Sequence, residues 1–73
     1  MQQQFIEQFE QLFKISFKNV VDIESMPCDT YDDGIYHYID LVNKDVYSFD
    51  TNDDVWLEKN MYKTEILSVL KID

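Results

Sequence analysis

The chain has 73 residues, 45% of them apolar, with fifteen acids against six bases and a formal net charge of −9. That length suits one domain spanning residues 1–73 and burying about 60 to 65% of its unfolded surface, while five Phe, five Tyr and one Trp make the chain too hydrophobic for a disordered acidic tail. No apolar run nears the roughly 20 residues of a membrane span, anionic head groups repel a negative surface, and the absence of arginine removes the commonest reader of phosphates and base edges, so neither a membrane nor nucleic acid is expected as a direct partner.

Residues 2–18 are expected to form an amphipathic helix, because Phe5, Phe9, Leu12, Phe13, Ser16 and Phe17 recur at spacings of three and four with Ile6 beside them. Glu10 stands four residues before Lys14, the favourable order for a pair on one helix face. Residues 19–24, NVVDIE, read equally as a strand or as a further helical turn. Met26-Pro27 then forces an extended or turn conformation, and DTYDDG at 29–34 is turn chemistry containing the only Gly.

Residues 35–42 (IYHYIDLV) and 46–50 (VYSFD) are rich in β-branched and aromatic side chains and flank Asn43-Lys44-Asp45, which predicts a hairpin. A three-residue loop pairs Val42 with Val46 and collects Ile35, Ile39, Leu41, Tyr47 and Phe49 on one face. A two- or four-residue loop pairs Leu41 with Val46 and swaps faces on one strand. The first register is preferred for its apolar face, and it leaves Tyr36, Tyr38, Asp40, Ser48 and Asp50 as an aromatic and acidic display on the other. Residues 51–54 form a loop, after which VWLEK at 55–59 is either a third strand or the start of a helix capped through Thr51 and Asp54. From Asn60 onward Tyr62, Ile66, Val69 and Leu70 make a helical apolar stripe. The expected fold is α+β: an N-terminal helix, an antiparallel sheet of two or three strands built on a hairpin at 35–50, and a C-terminal helix.

The motifs that carry chemistry are weak. Residues 29–40 place acids at positions one, five and twelve of a calcium loop with Gly at six. Tyr31 occupies the third position, however, an Asp replaces the bidentate Glu, and the second half reads as a strand. Cys28 and His37 are the only thiol and imidazole; they are too few for zinc and lack a third orienting group for nucleophilic catalysis. His37 is better explained as a partly buried strand residue paired with Asp50, and Cys28 as a small turn residue in a reducing cytoplasm. Adjacent acids such as Asp32/Asp33 are ordinarily solvated, and a domain this small leaves little room for a catalytic pocket. No enzyme, cofactor or metal is expected.

What stands out is the distribution of charge. Between Asp22 and Asp54 lie ten acids and one base, Lys44, a balance of −9, while the acids and lysines on either side cancel. A protein that is acidic merely for solubility spreads its carboxylates over both helices; a local cluster opposes the compact state and points to a basic partner. Interleaved Tyr31, Tyr36 and Tyr38 are residue types that anchor interfaces. The expected contact set is Asp29, Asp32, Asp33, Asp40, Asp45, Asp50, Asp53 and Asp54 with those three tyrosines.

These observations suggest a small cytoplasmic inhibitor whose carboxylates take the place of phosphates on a basic, nucleic-acid-binding surface of a larger protein. Anti-restriction and anti-CRISPR proteins, nuclease immunity proteins and antitoxins use this strategy. The lack of Arg and Ala, whose codons are GC-rich, beside abundant Asp, Lys, Asn and Ile suits a phage or mobile element of a low-GC bacterium. An acidic adaptor that binds a basic protein without imitating nucleic acid is the alternative. A calcium-responsive module and a homodimer formed through the aromatic face are lower-ranked alternatives.

Overall fold

The computed structural model describes residues 3–23 and 34–71. Helix α1 (Gln3–Phe13) is followed by a 3-10 turn at Phe17–Asn19 and then by strands β1 (Val21–Asp22), β2 (Ile35–Asp40), β3 (Asp45–Asp50) and β4 (Val55–Trp56), and helix α2 (Lys63–Leu70) closes the described chain. The strands form one antiparallel sheet in the order β1-β2-β3-β4. The α+β class expected from sequence is present, with four strands among the described residues in place of two or three. Residues 19–24 contribute β1 and residues 55–59 contribute β4; each of these strands has only two residues and, among the described residues, pairs on one side.

The hairpin register differs from the preferred one. Asp40 faces Asp45 and Ile39 faces Val46, so the loop holds the four residues 41–44 and Leu41 and Val42 lie outside the strands. The cause is the Asp40 side chain. Its Oδ1 accepts the N–H groups of Val42 and Asn43 at 3.0 and 3.2 Å, and its Oδ2 accepts Asn43 Nδ2 at 2.9 Å. Such an Asx turn starts the loop two residues earlier than apolar patterning suggests. Lys44 completes it in the left-handed region, φ 61°, with its N–H donating to the Asp40 carbonyl at 2.7 Å.

This register also changes what the sheet faces. Side chains alternate along a strand and cross-strand partners share a face, so Tyr36, Tyr38, Tyr47, Phe49 and Trp56 fall on one side and His37, Ile39, Val46 and Ser48 on the other. Helix α1 covers the first side, where Phe5 and Phe9 join Tyr38, Tyr47, Phe49 and Trp56 in one buried cluster. Helix α2 covers the second side through Ile66, which packs with Ile23, Ile39 and Val46. The central strands are therefore buried on both faces, and the expected solvent-facing display of Tyr36, Tyr38, Asp40, Ser48 and Asp50 is not formed: Tyr38, Asp40 and Ser48 are 5%, 4% and 1% exposed. Polar Ser48 tolerates burial because it sits opposite His37, whose Nδ1 lies 2.7 Å from its Oγ.

Most of the aromatic content goes into this interior. Ring centroids of Phe5, Phe9, Phe13, Phe17, Tyr38, Tyr47, Phe49 and Trp56 lie 4.7 to 6.4 Å apart, largely in edge or tilted arrangements, and each such pair adds about 0.5 to 1.5 kcal/mol beyond area burial. The Trp56 indole N–H donates to the Phe5 carbonyl at 3.2 Å, tying β4 to α1. Helix α1 ends at Phe13, short of the expected Lys18, because Lys14 turns left-handed at φ 65°. Glu10 then bonds forward to the Phe17 N–H at 2.8 Å through its carboxylate, and Ser16 caps the 3-10 turn.

Candidate functional site

Two loops of the same design sit at opposite ends of β3. The first spans residues 41–44 between β2 and β3, and the second spans residues 51–54 between β3 and β4. Each opens on an Asp that ends a strand: Asp50 Oδ1 accepts the N–H groups of Asn52 and Asp53 at 2.9 and 3.3 Å, the same i+2 and i+3 contacts that Asp40 makes. Each closes on a left-handed residue, Lys44 at φ 61° and Asp54 at φ 59°. Asp and Asn reach that region at modest cost, since a short polar side chain can bond locally.

Electrostatically the loops are opposites. At the first, Lys44 closes the turn, and Asp45 is held by Lys59 Nζ at 3.5 Å and by Asn60 Nδ2 at 3.1 Å. Asn60, itself left-handed at φ 65°, also accepts the Val46 N–H at 2.7 Å and donates its own N–H to the Val46 carbonyl at 2.7 Å. This end is neutralised and tied to the approach to α2. The Asn43 amide and the loop N–H groups hold the buried Asp40 carboxyl below its ordinary range despite desolvation.

The second loop carries Asp50, Asp53 and Asp54 and no base, and Asp53 and Asp54 are exposed. Among the described residues no hydrogen bond or ion pair engages the carboxylate of either one. Gly34 is fastened to this end, its carbonyl accepting the Thr51 N–H at 2.6 Å and Oγ1 at 2.9 Å. Gly34 needs to be glycine here: its φ is 96°, and a Cβ would stand 2.6 Å from Asn52 Nδ2.

The expected contact residues are thus sorted. Asp53 and Asp54 share one exposed loop with half-buried Asp50. Asp40 and Asp45 lie at the far end of β3 and are engaged in the neutral loop. Tyr38 is in the core and Tyr36 is packed against it, while Asp29, Tyr31, Asp32 and Asp33 lie outside the described residues, as do Cys28 and the first five residues of the calcium-like stretch. His37 is not paired with Asp50; its partner is Ser48, with the Tyr62 ring 5.1 Å away, and burial pushes its pKa down. Among the described residues no three acidic, His or Cys side chains cluster as metal ligands, and no helix is long and apolar enough to cross a membrane.

Three neighbours of the acidic loop carried no sequence signal. Gln8, Gln11 and Leu12 of α1 line a groove with Asp54, Val55 and Trp56. Leu12 reads as core from its helical spacing, yet it is 57% exposed, because α1 is rolled toward its Phe5 and Phe9 face. In comparisons with known proteins, no family model, curated protein or solved structure matches this chain.

Proposed function

We propose that this protein is a small acidic inhibitor that docks on a basic, nucleic-acid-binding surface of a larger protein, with its carboxylates standing where phosphates would lie. The observation that carries this is the contrast between two loops of one design: at the first, Asp40 is engaged by Val42 and Asn43 and Asp45 by Lys59 and Asn60, whereas the second exposes Asp53 and Asp54 beside Asp50 with no base in the loop. Nothing in the hairpin geometry requires acids at 53 and 54, since Asn43 and Lys44 fill the corresponding places in the first loop. Carboxylates that the fold does not need are available to a partner.

Duplex DNA carries one negative charge per roughly 1.7 Å of axis, so a groove built for it presents Lys and Arg that fixed carboxylates can satisfy. The contact set in this proposal is Asp50, Asp53 and Asp54, with Asp32 and Asp33 of the preceding acidic stretch of sequence as further members. Steering by a single-sign patch makes association fast and salt-sensitive. The strategy belongs with the anti-restriction, anti-CRISPR and nuclease-immunity type of inhibitor, encoded by a phage or mobile element.

Affinity capture from a nuclease-treated low-GC bacterial lysate, eluted by a salt step, tests the proposal when each captured protein is then challenged with duplex DNA or RNA. A nucleic-acid enzyme released by salt and displaced by nucleic acid is the expected result. A captured basic protein that nucleic acid does not displace would favour the acidic adaptor instead.

A further inference from the structure

The acidic loop borders a groove of about 410 Å³ between α1 and the outer edge of β4, lined by Gln8, Gln11, Leu12, Asp54, Val55 and Trp56. That volume lies in the lower part of the range that holds a bound group. Its walls are of two kinds. Leu12, 57% exposed, gives it an apolar patch on the α1 side, and Asp54, Gln8 and Gln11 supply polar lining residues. No lysine is among the six. A second, smaller recess formed by Gln4, Phe5, Gln8, Phe49 and Asp54 adjoins it, so Asp54 and Gln8 border both.

An apolar patch and an exposed carboxylate lining one groove are complementary to a long cationic side chain, which lays its methylene stem on hydrocarbon and keeps its charged head at a polar group. We infer that this groove receives an arginine side chain from the basic partner, its stem against Leu12 and its guanidinium on Asp54. Arginine fits better than lysine: its planar fork donates to a carboxylate and to neighbouring amide oxygens together, which a point charge cannot do. The edge of β4 adds a backbone acceptor. Leu57 N–H donates to the Ser48 carbonyl at 2.9 Å, so in antiparallel alternation the N–H and C=O of Trp56 point away from β3, toward the edge that no other described strand covers. The inference rests on the proposed docking function and names the anchor within it. It makes the interface more than a charge cluster, because it requires Leu12, which lies on another element.

The test is a titration of the ¹⁵N-labelled protein with the blocked peptide acetyl-Gly-Arg-Gly-Arg-Gly-amide and with its citrulline counterpart, which keeps the stem length and loses the charge. The expected result is movement of the Leu12, Asp54 and Val55 amides and the Trp56 indole signal by the arginine peptide alone. Leu12→Ser and Asp54→Asn should each weaken binding at least threefold while leaving the rest of the spectrum in place. Leu12 is largely exposed and Asn tolerates the left-handed conformation, so both variants keep the fold. Shifts confined to residues 50–54 with unchanged affinity in Leu12→Ser would overturn the groove and leave charge-driven docking standing. Failure of the wild-type protein to bind the arginine peptide would also overturn the groove, and the lysate capture then decides separately whether docking fails with it.

Discussion

The loops at the two ends of β3 have the same construction and opposite surroundings. Both open on an Asp that accepts N–H groups two and three residues ahead, and both close on a left-handed residue. At the 41–44 end both acids have structural roles, since Asp40 organises the turn and Asp45 receives Lys59 and Asn60. At the 51–54 end only Asp50 has such a role, and two exposed carboxylates remain. Local acidity in a chain therefore does not equal local function. Net charge becomes informative once the acids that the fold consumes have been subtracted.

The largest effect on this comparison should come from breaking the anchor of the neutral loop. Asn60→Ala leaves the Val46 N–H without its acceptor and puts a non-polar residue in a left-handed position, which should cost about 3 kcal/mol in urea unfolding. Next comes a matched pair of truncations. Asp40→Ala, at a buried site with three hydrogen bonds, should cost about 2 kcal/mol, and Asp50→Ala, at a half-buried site with two, about 1 kcal/mol. Equal losses would show that the loops are not differently embedded.

Acid should act in two stages. Burial lowers the His37 pKa, so the unfolded chain takes up that proton first, near pH 6.5, and stability falls as pH drops from there toward the folded value. The Asp40 carboxyl is also lowered, chiefly by its Asn43 hydrogen bond. Its contribution is therefore present above about pH 4 and is lost as pH falls through the folded value. Urea midpoints between pH 3 and 8 on the order of half a unit apart should show both stages. The upper stage should vanish in His37→Phe and the lower one should shrink in Asp40→Asn.

The smallest stability change belongs to the variant with the largest functional consequence. Asp53→Asn with Asp54→Lys writes the Asn43-Lys44 pair of the neutral loop into the acidic one. Because Lys44 already occupies the equivalent left-handed position, stability should stay within about 0.5 kcal/mol of the parent, measured as the thermal midpoint.

Much of this was legible in the chain, and the parts that were not have physical causes. The Phe5 and Phe9 stripe identifies α1, and IYHYID and VYSFD identify the central strands. The hairpin register was hidden because a side chain set it: Asp40 with Asn43 three residues on is turn chemistry that outweighed the pairing of Val42 with Val46. Burial of both sheet faces was hidden because His37 and Ser48, polar in sequence, bond to each other across the strands. That concealed the place of Tyr38, which is core. Of the site, the concentration of acid was plain, and so was the exposed pair Asp53 and Asp54. The structural use of Asp40 and Asp45 depends on partners of two kinds: Asn43 is local, whereas Lys59 and Asn60 stand fourteen and fifteen residues after Asp45 and have no pattern linking them to it.

The most direct test of the acidic loop as a docking surface is to immobilise the parent protein and the Asp53→Asn, Asp54→Lys variant side by side. Each is exposed to the same nuclease-treated bacterial lysate, and the proteins released by a salt step are quantified by mass spectrometry. The account predicts a nucleic-acid-processing protein held by the parent and lost from the variant, which carries three units less negative charge on an unchanged fold. Recovery of the same salt-released proteins in the same amounts from both would contradict it and leave the loop as solvated surface.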